Sequence, residues 1–174
     1  MMHVLRLALI SLAVTACQDQ PARSTAPTPP PVQTGVSAFV TVDNLSAPVG
    51  QMVRVRVEVQ VGTQQNFKLG SYTGRLHFNP ARLEFKSEHA ISDGLRIANP
   101  ANAARGEIRF AGASAMGFTM LVLYDGTFEV KGANYTADLA LQMEELSAAL
   151  SLTNLQAQLR VNPQVFLSRT ATSH

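Results

Sequence analysis

From Val36 onward the chain alternates apolar and polar positions, most clearly where Val53, Val55, Val57, Val59 and Val61 interleave with Arg54, Arg56, Glu58 and Gln60. Successive side chains of an extended chain point to opposite faces. The valines therefore line one side of a strand and the polar partners the other, as in an antiparallel sheet with one wetted face. Residues 38–42 read as the strand before it, joined by the turn-rich stretch 43–50. After it, Tyr72, Gly74, Leu76 and Phe78 alternate with Thr73, Arg75 and His77 up to Asn79-Pro80, where proline removes a ladder donor. Leu83-Glu84-Phe85 opens the next element, and further strands are expected at 95–98, 107–111, 120–124, 127–131, 137–143 and 155–161. Met143, Leu146 and Leu150 also fit a short helix, but the alternation from Asp138 to Met143 favours a strand. About nine short strands with turn signals every ~8–12 residues predict an all-β sandwich or small barrel.

Before residue 36 the pattern is different. His3 and Arg6 precede an apolar run from Leu7 to Val14, too short for a permanent span and read as a signal peptide over residues 1–16. The ending Val14-Thr15-Ala16-Cys17 resembles a lipobox, and that resemblance makes Cys17 the acylated first residue of a mature lipoprotein. Two or more acyl chains suffice for stable anchoring where one is marginal. Gln18 follows the cysteine in place of the aspartate that marks inner-membrane retention in such lipoproteins, so a lipid anchor in the bacterial envelope, at the outer membrane, is expected. Residues 17–35 hold Pro21, Pro27, Pro29, Pro30 and Pro31 without apolar periodicity and read as a tether, up to ~50 Å long as polyproline II. The folded domain is expected over 36–163, with a tail over 164–174.

Removing residues 1–16 from the 174-residue chain leaves 158, one domain plus tether. Arg6 is the only charge lost from 14 basic and 12 acidic residues, so 13 against 12 remain, and the near balance argues against nucleic acid. With Cys17 the only cysteine, no disulfide supports the domain, and packing must.

The strand order and its punctuation carry a resemblance. Pro48-Val49-Gly50-Gln51 ahead of the valine strand, the run from Leu69 to Phe85 with its Asn79-Pro80 turn, the stretch 99–108 with Gly106, and Gly126-Thr127-Phe128-Glu129-Val130 together resemble the cohesin domain of bacterial cellulosome scaffolds. The resemblance covers nearly the whole region from Val36 to Val161. It implies a nine-stranded jelly-roll β-sandwich, shared with related carbohydrate-binding modules, that offers the flat face of one sheet to the calcium-loaded helices of a dockerin-like protein. Alternation assigns Arg75 and His77 of one strand, with Glu84, Lys86 and Glu88 of the next element, to that partner face. Any calcium would belong to the partner.

Other chemistry is weaker. Glu144-Glu145 is a carboxylate pair, but strand neighbours are expected on opposite faces, where they do not flank a glycosidic bond together. His77 and His89 lack companions at metal-ligand spacing, and Gly112-Ala113-Ser114-Ala115-Met116-Gly117 reads as a turn and not a nucleophile elbow. Asp93-Gly94 and Asp125-Gly126 read as isolated turn aspartates, so no metal and no cofactor is expected. Phe118, Met120, Leu121, Val122, Leu123 and Tyr124 make a run without alternation that fits a strand buried on both faces, with an adhesive patch as the other reading. The leading expectation is a non-catalytic binding module. The alternatives are a carbohydrate-binding module using Tyr72, Tyr124 or Tyr135 as sugar platforms for a polysaccharide, and a structural envelope lipoprotein. The chain has no tryptophan, which weighs against sugar stacking.

Overall fold

The computed structural model describes residues 35–62 and 65–168. Cys17, the signal peptide and the tether lie outside the described residues. The strands are β1 (Val36–Val42), β2 (Met52–Val61), β3 (Leu69–His77), β4 (Leu83–Glu88), β5 (Leu95–Asn99), β6 (Glu107–Ala113), β7 (Val122–Val130), β8 (Ala140–Ala148) and β9 (Leu159–Leu167). They form a five-stranded sheet in the order β4-β7-β2-β1-β9 and a four-stranded sheet in the order β5-β6-β3-β8. Only β1-β2 and β5-β6 are consecutive strands within one sheet, and the other six connections cross between sheets. This is a jelly-roll sandwich of nine strands.

Alternation explains the core. Val53, Val55, Val57 and Val59 are buried, and Val61 is half-buried at the strand's end. They join Tyr72, Leu76, Ile108, Phe110, Phe128 and Leu146 in one cluster between the sheets. Gly74 and Gly112 are small for the same reason: a Cβ on either would lie 2.6 Å from the Phe110 ring or 2.5 Å from the Tyr72 ring. On the outer side of the five-stranded sheet, Phe39 meets Phe166 edge to face at 5.6 Å.

Three expectations change. In place of two strands at 120–124 and 127–131 there is one, Val122–Val130, because Asp125-Gly126 is not a turn: Arg54 and Arg56 of β2 hold Asp125 at 2.7 and 3.1 Å within β7. The last strand begins at Leu159 after a 3₁₀ turn and runs to Leu167, past the expected boundary at 163. Its parallel pairing with β1 draws those residues into the sheet, and Ser168 N–H still donates to Val42 O at 2.7 Å. The strand expected at 137–143 is a strand and not a helix, but it runs from Ala140 to Ala148 after a 3₁₀ turn, with a bulge between the partners of Thr73 and Gly74.

Candidate functional site

The outer face of the four-stranded sheet can be built row by row from its register. Leu95 lies beside Ala113 and Ser71, Ile97 beside Ala111 and Thr73, Asn99 beside Arg109 and Arg75, and Glu107 beside His77. From β5 to β3 the first two rows are small or apolar, with Glu145 of β8 beside Thr73 at the end of the second, while the other two are charged. Arg75 donates to Glu144 at 2.6 Å and to Glu107 at 3.2 Å, and these bonds, Glu144 first, raise its pKa further. Arg109 stands 3.7 Å from the same Glu144, and His77 Nε2 lies 3.4 Å from Gln142 Oε1.

Leu95 and Ile97 are 74% and 65% exposed although both belong to a regular strand. The residue between them is the cause. The Arg96 side chain turns inward and is 7% exposed. Its guanidinium donates to Asp93 O at 2.7 Å, Tyr72 Oη at 2.9 Å, Met120 O at 2.9 Å and Asp93 Oδ2 at 3.4 Å, and also to Val122 O. It lies 4.2 Å from the centre of the Phe118 ring, a cation–π stack. All five N–H groups have acceptors, the condition under which an arginine can occupy an interior position. With Arg96 inside, a period of two places both apolar neighbours in water.

Asp93 completes the arrangement. Its Oδ2 accepts the N–H groups of Thr119 and Met120, both at 2.7 Å, and these bonds, Met120 first, hold its carboxyl below the usual carboxylate range.

The five residues expected to share a partner face are divided between the sheets. Arg75 and His77 lie on the outer face of the four-stranded sheet. Glu84, Lys86 and Glu88 belong to β4, an edge of the five-stranded sheet, where Lys86 bridges Glu84 at 2.8 Å and Glu129 at 2.7 Å. Glu84 and Glu129 are held below their ordinary pKa, chiefly by hydrogen bonds from Lys86. The reason is topological: after β3 the chain crosses at Asn79-Pro80 to the other sheet, and alternation identifies a face without identifying its sheet. The glutamate pair also departs from expectation. The β8 bulge puts Glu144 and Glu145 on the same outer face, Glu144 on Arg75 and Glu145 receiving the Ser71 hydroxyl at 3.3 Å.

The sugar platform is overturned for its named residues. Tyr72, Tyr124 and Tyr135 are 1%, 2% and 2% exposed, so no tyrosine ring lies on either outer face. Tyr72 donates to Leu123 O at 2.8 Å, and Tyr135 donates to Asn44 O. Burial raises the pKa of all three. Within the apolar run from Phe118, Leu123 and Tyr124 are core residues and Met120 is 49% exposed, so the run is not one buried strand. Among the described residues no group of three His, Cys, Asp or Glu is placed to hold a metal, and no helix is long and apolar enough to cross a membrane.

Leu95, Ile97, Arg109 and Glu144 were missed as members of this face. The alternation in 95–98 was visible, but its ordinary reading puts Leu95 and Ile97 inside and Arg96 outside. Only the carbonyls and rings gathered from distant segments reverse it.

No family model matches the chain, and no curated protein matches its sequence. Solved structures do match. The sixth cohesin of scaffoldin B from Acetivibrio cellulolyticus, solved with a mutant Cel5 dockerin, superposes with a TM-score of 0.54 at 18% identity, covering 74% of this chain and 99% of that one. The seventh ScaB type I cohesin of Pseudobacteroides cellulosolvens gives 0.51 at 19% identity over 79% and 96%. A non-cellulosomal cohesin from the archaeon Archaeoglobus fulgidus gives 0.51 at 16% identity over 75% and 87%. The domain therefore has the β-sandwich fold of cohesin modules.

Proposed function

We propose that this chain is a membrane-anchored, non-catalytic binding module whose four-stranded sheet receives a dockerin-like protein. The observation that carries the reading is the inverted strand β5, which holds Leu95 and Ile97 in water beside Ala111, Ala113, Ser71 and Thr73. An apolar strip along the β5 edge next to the charged Arg75, Arg109, Glu107 and Glu144 combines the apolar and polar contacts of which protein interfaces are made. The dockerin complexes among the similar structures supply the class of partner. The lipobox-like Cys17 and the proline-rich tether suggest an envelope protein held at the outer membrane, with the domain tethered to it.

The test uses the chain from Cys17 onward as bait in a lysate of its own organism, with calcium and with EDTA. The expected result is a dockerin-like protein retained only with calcium and lost to the Leu95→Asp/Ile97→Asp variant. Capture that ignores the β5 changes removes this face, and no capture of such a protein removes the reading. Acylation is checked separately by metabolic labelling with an alkyne fatty acid, which the Cys17→Ser variant should abolish.

A further inference from the structure

The two poles of the sandwich differ. At one pole lie Gly35, where the tether enters the domain, and four connecting segments, 65–68, 89–94, 114–121 and 149–158. They are joined directly: Gly62 N–H donates to Gly35 O at 2.9 Å, Ala149 N–H to Lys68 O at 2.8 Å, and Phe118 N–H to Leu69 O at 2.8 Å. A Cβ on Gly117 would lie 3.3 Å from the Ala149 Cβ, so the last two segments touch.

This pole ends in bare apolar side chains. Leu150 and Leu152 are 80% and 79% exposed, and Met116 is 73% exposed. Both leucines have left-handed backbones, with φ of 63° and 55°. Ser151 N–H donates to Ala149 O at 2.7 Å, closing a three-residue turn around Leu150 in the strained γ-turn hand. Glycine or asparagine would fill these positions with less strain and without hydrophobic exposure. Leucine at both costs backbone energy and solubility, which makes sense where the side chains have an apolar environment to enter.

The charge distribution identifies that environment. The four segments contain one acidic residue, Asp93, and one lysine, Lys68, and Arg160 near the start of β9 adds a second cation. Asp93 and Arg96, behind the segment 114–121, are paired with each other. The opposite pole, built from 43–51, 78–82, 100–106 and 131–139, carries Asp43, Arg82, Arg105, Lys131 and Asp138. We propose that the tether-side pole is a membrane-contact surface, with Leu150, Leu152 and Met116 entering the acyl boundary of an anionic bilayer and Lys68 and Arg160 at its headgroups. Only 17 residues separate Cys17 from Gly35, so a lipid on that cysteine holds the domain within about 50 Å of the bilayer by this pole and by no other. In this respect the inference rests on the anchor proposed above.

The experiment supplies the anchor chemically, so native acylation and docking can fail independently. The chain from Cys17 onward is coupled through its single thiol to a maleimide lipid in vesicles of phosphatidylethanolamine and phosphatidylglycerol containing brominated acyl chains. Because the chain has no tryptophan, the Met116→Trp and Val49→Trp variants report on opposite poles. Val49 is 64% exposed. Strong quenching and a blue shift are expected for Met116→Trp alone. Adding Leu150→Gly/Leu152→Gly should reduce the docked-to-free ratio about tenfold or more, from the lost leucine burial. The same change should leave the thermal midpoint level or higher, because the strained backbones relax. Equal quenching at both poles, or quenching that persists without the leucines, overturns the proposal.

Discussion

On the outer face of the five-stranded sheet, Asp125 is held between Arg54 and Arg56, and Lys86 and Lys131 both bridge Glu84 and Glu129. On the outer face of the four-stranded sheet, ion pairs occupy one corner and Glu145 and Gln142 lie on β8, while the β5 side is alanine, serine and threonine beside bare Leu95 and Ile97. Charges that already satisfy one another gain little from a partner, whereas exposed apolar area gains ~25 cal/mol for each Å² covered. The contrast does not come from composition, since arginines serve both faces. It comes from where they point: Arg54 and Arg56 outward to a carboxylate, Arg96 inward to carbonyls and rings.

The largest expected effect removes that inward arginine. Arg96→Ala strips five donors from buried carbonyls, Tyr72 and Asp93, and should cost about 3 kcal/mol or more in urea unfolding, with partner capture reduced as β5 loosens. Arg96→Lys should not rescue it, because an ammonium cannot replace the planar fork. A midpoint within error of wild type would show that β5 is held by other contacts.

Asp125→Ala is the counterpart on the other face. It strands Arg54 and Arg56, but the Arg54 side chain is 39% exposed and water recovers part of the loss. About 1–2 kcal/mol is expected by the same unfolding measurement, with partner capture unchanged. Loss of capture here would move the partner to the five-stranded sheet.

Asp93 gives a pH signature. Its folded pKa lies below its ordinary value because Met120 and Thr119 donate to the carboxylate. The stabilisation is therefore complete above the unfolded pKa of about 3.9 and is lost as pH falls through the folded value. Wild type should exceed Asp93→Asn at neutral pH, and the gap should close below about pH 4 in thermal melts. A gap constant across that range would exclude the carboxylate's charge as its source.

The smallest effect on stability is the sharpest on function. Leu95→Ser with Ile97→Ser should shift unfolding by no more than about 0.5 kcal/mol, because both side chains are already in water, yet abolish capture. Stability lost on a larger scale would make these residues structural.

The sandwich was legible because its signal is local. Five alternating valines, the Asn79-Pro80 stop and the regular turn spacing each depend on a few consecutive residues, and a period of two survives any sheet order. The candidate face was only half legible. Arg75 and His77 were placed outward correctly, but Glu84, Lys86 and Glu88 were joined to them across a crossover that alternation does not register. Asp125-Gly126 looked like a turn because its partners, Arg54 and Arg56, lie some 70 residues earlier.

The chain by itself determined the strand-forming pattern, the valine-lined core and the near-neutral charge, because these follow from side-chain period and composition. Tertiary structure decided which strands share a sheet, that a bulge would set Glu144 and Glu145 on one face, and that Arg96 would go inside while Leu95 and Ile97 stayed out. The last of these depends on acceptors and rings brought together from Tyr72, Asp93, Phe118, Met120 and Val122. An arginine's preference for water is overridden only when all five of its donors find partners at once, and no stretch of consecutive residues contains that information.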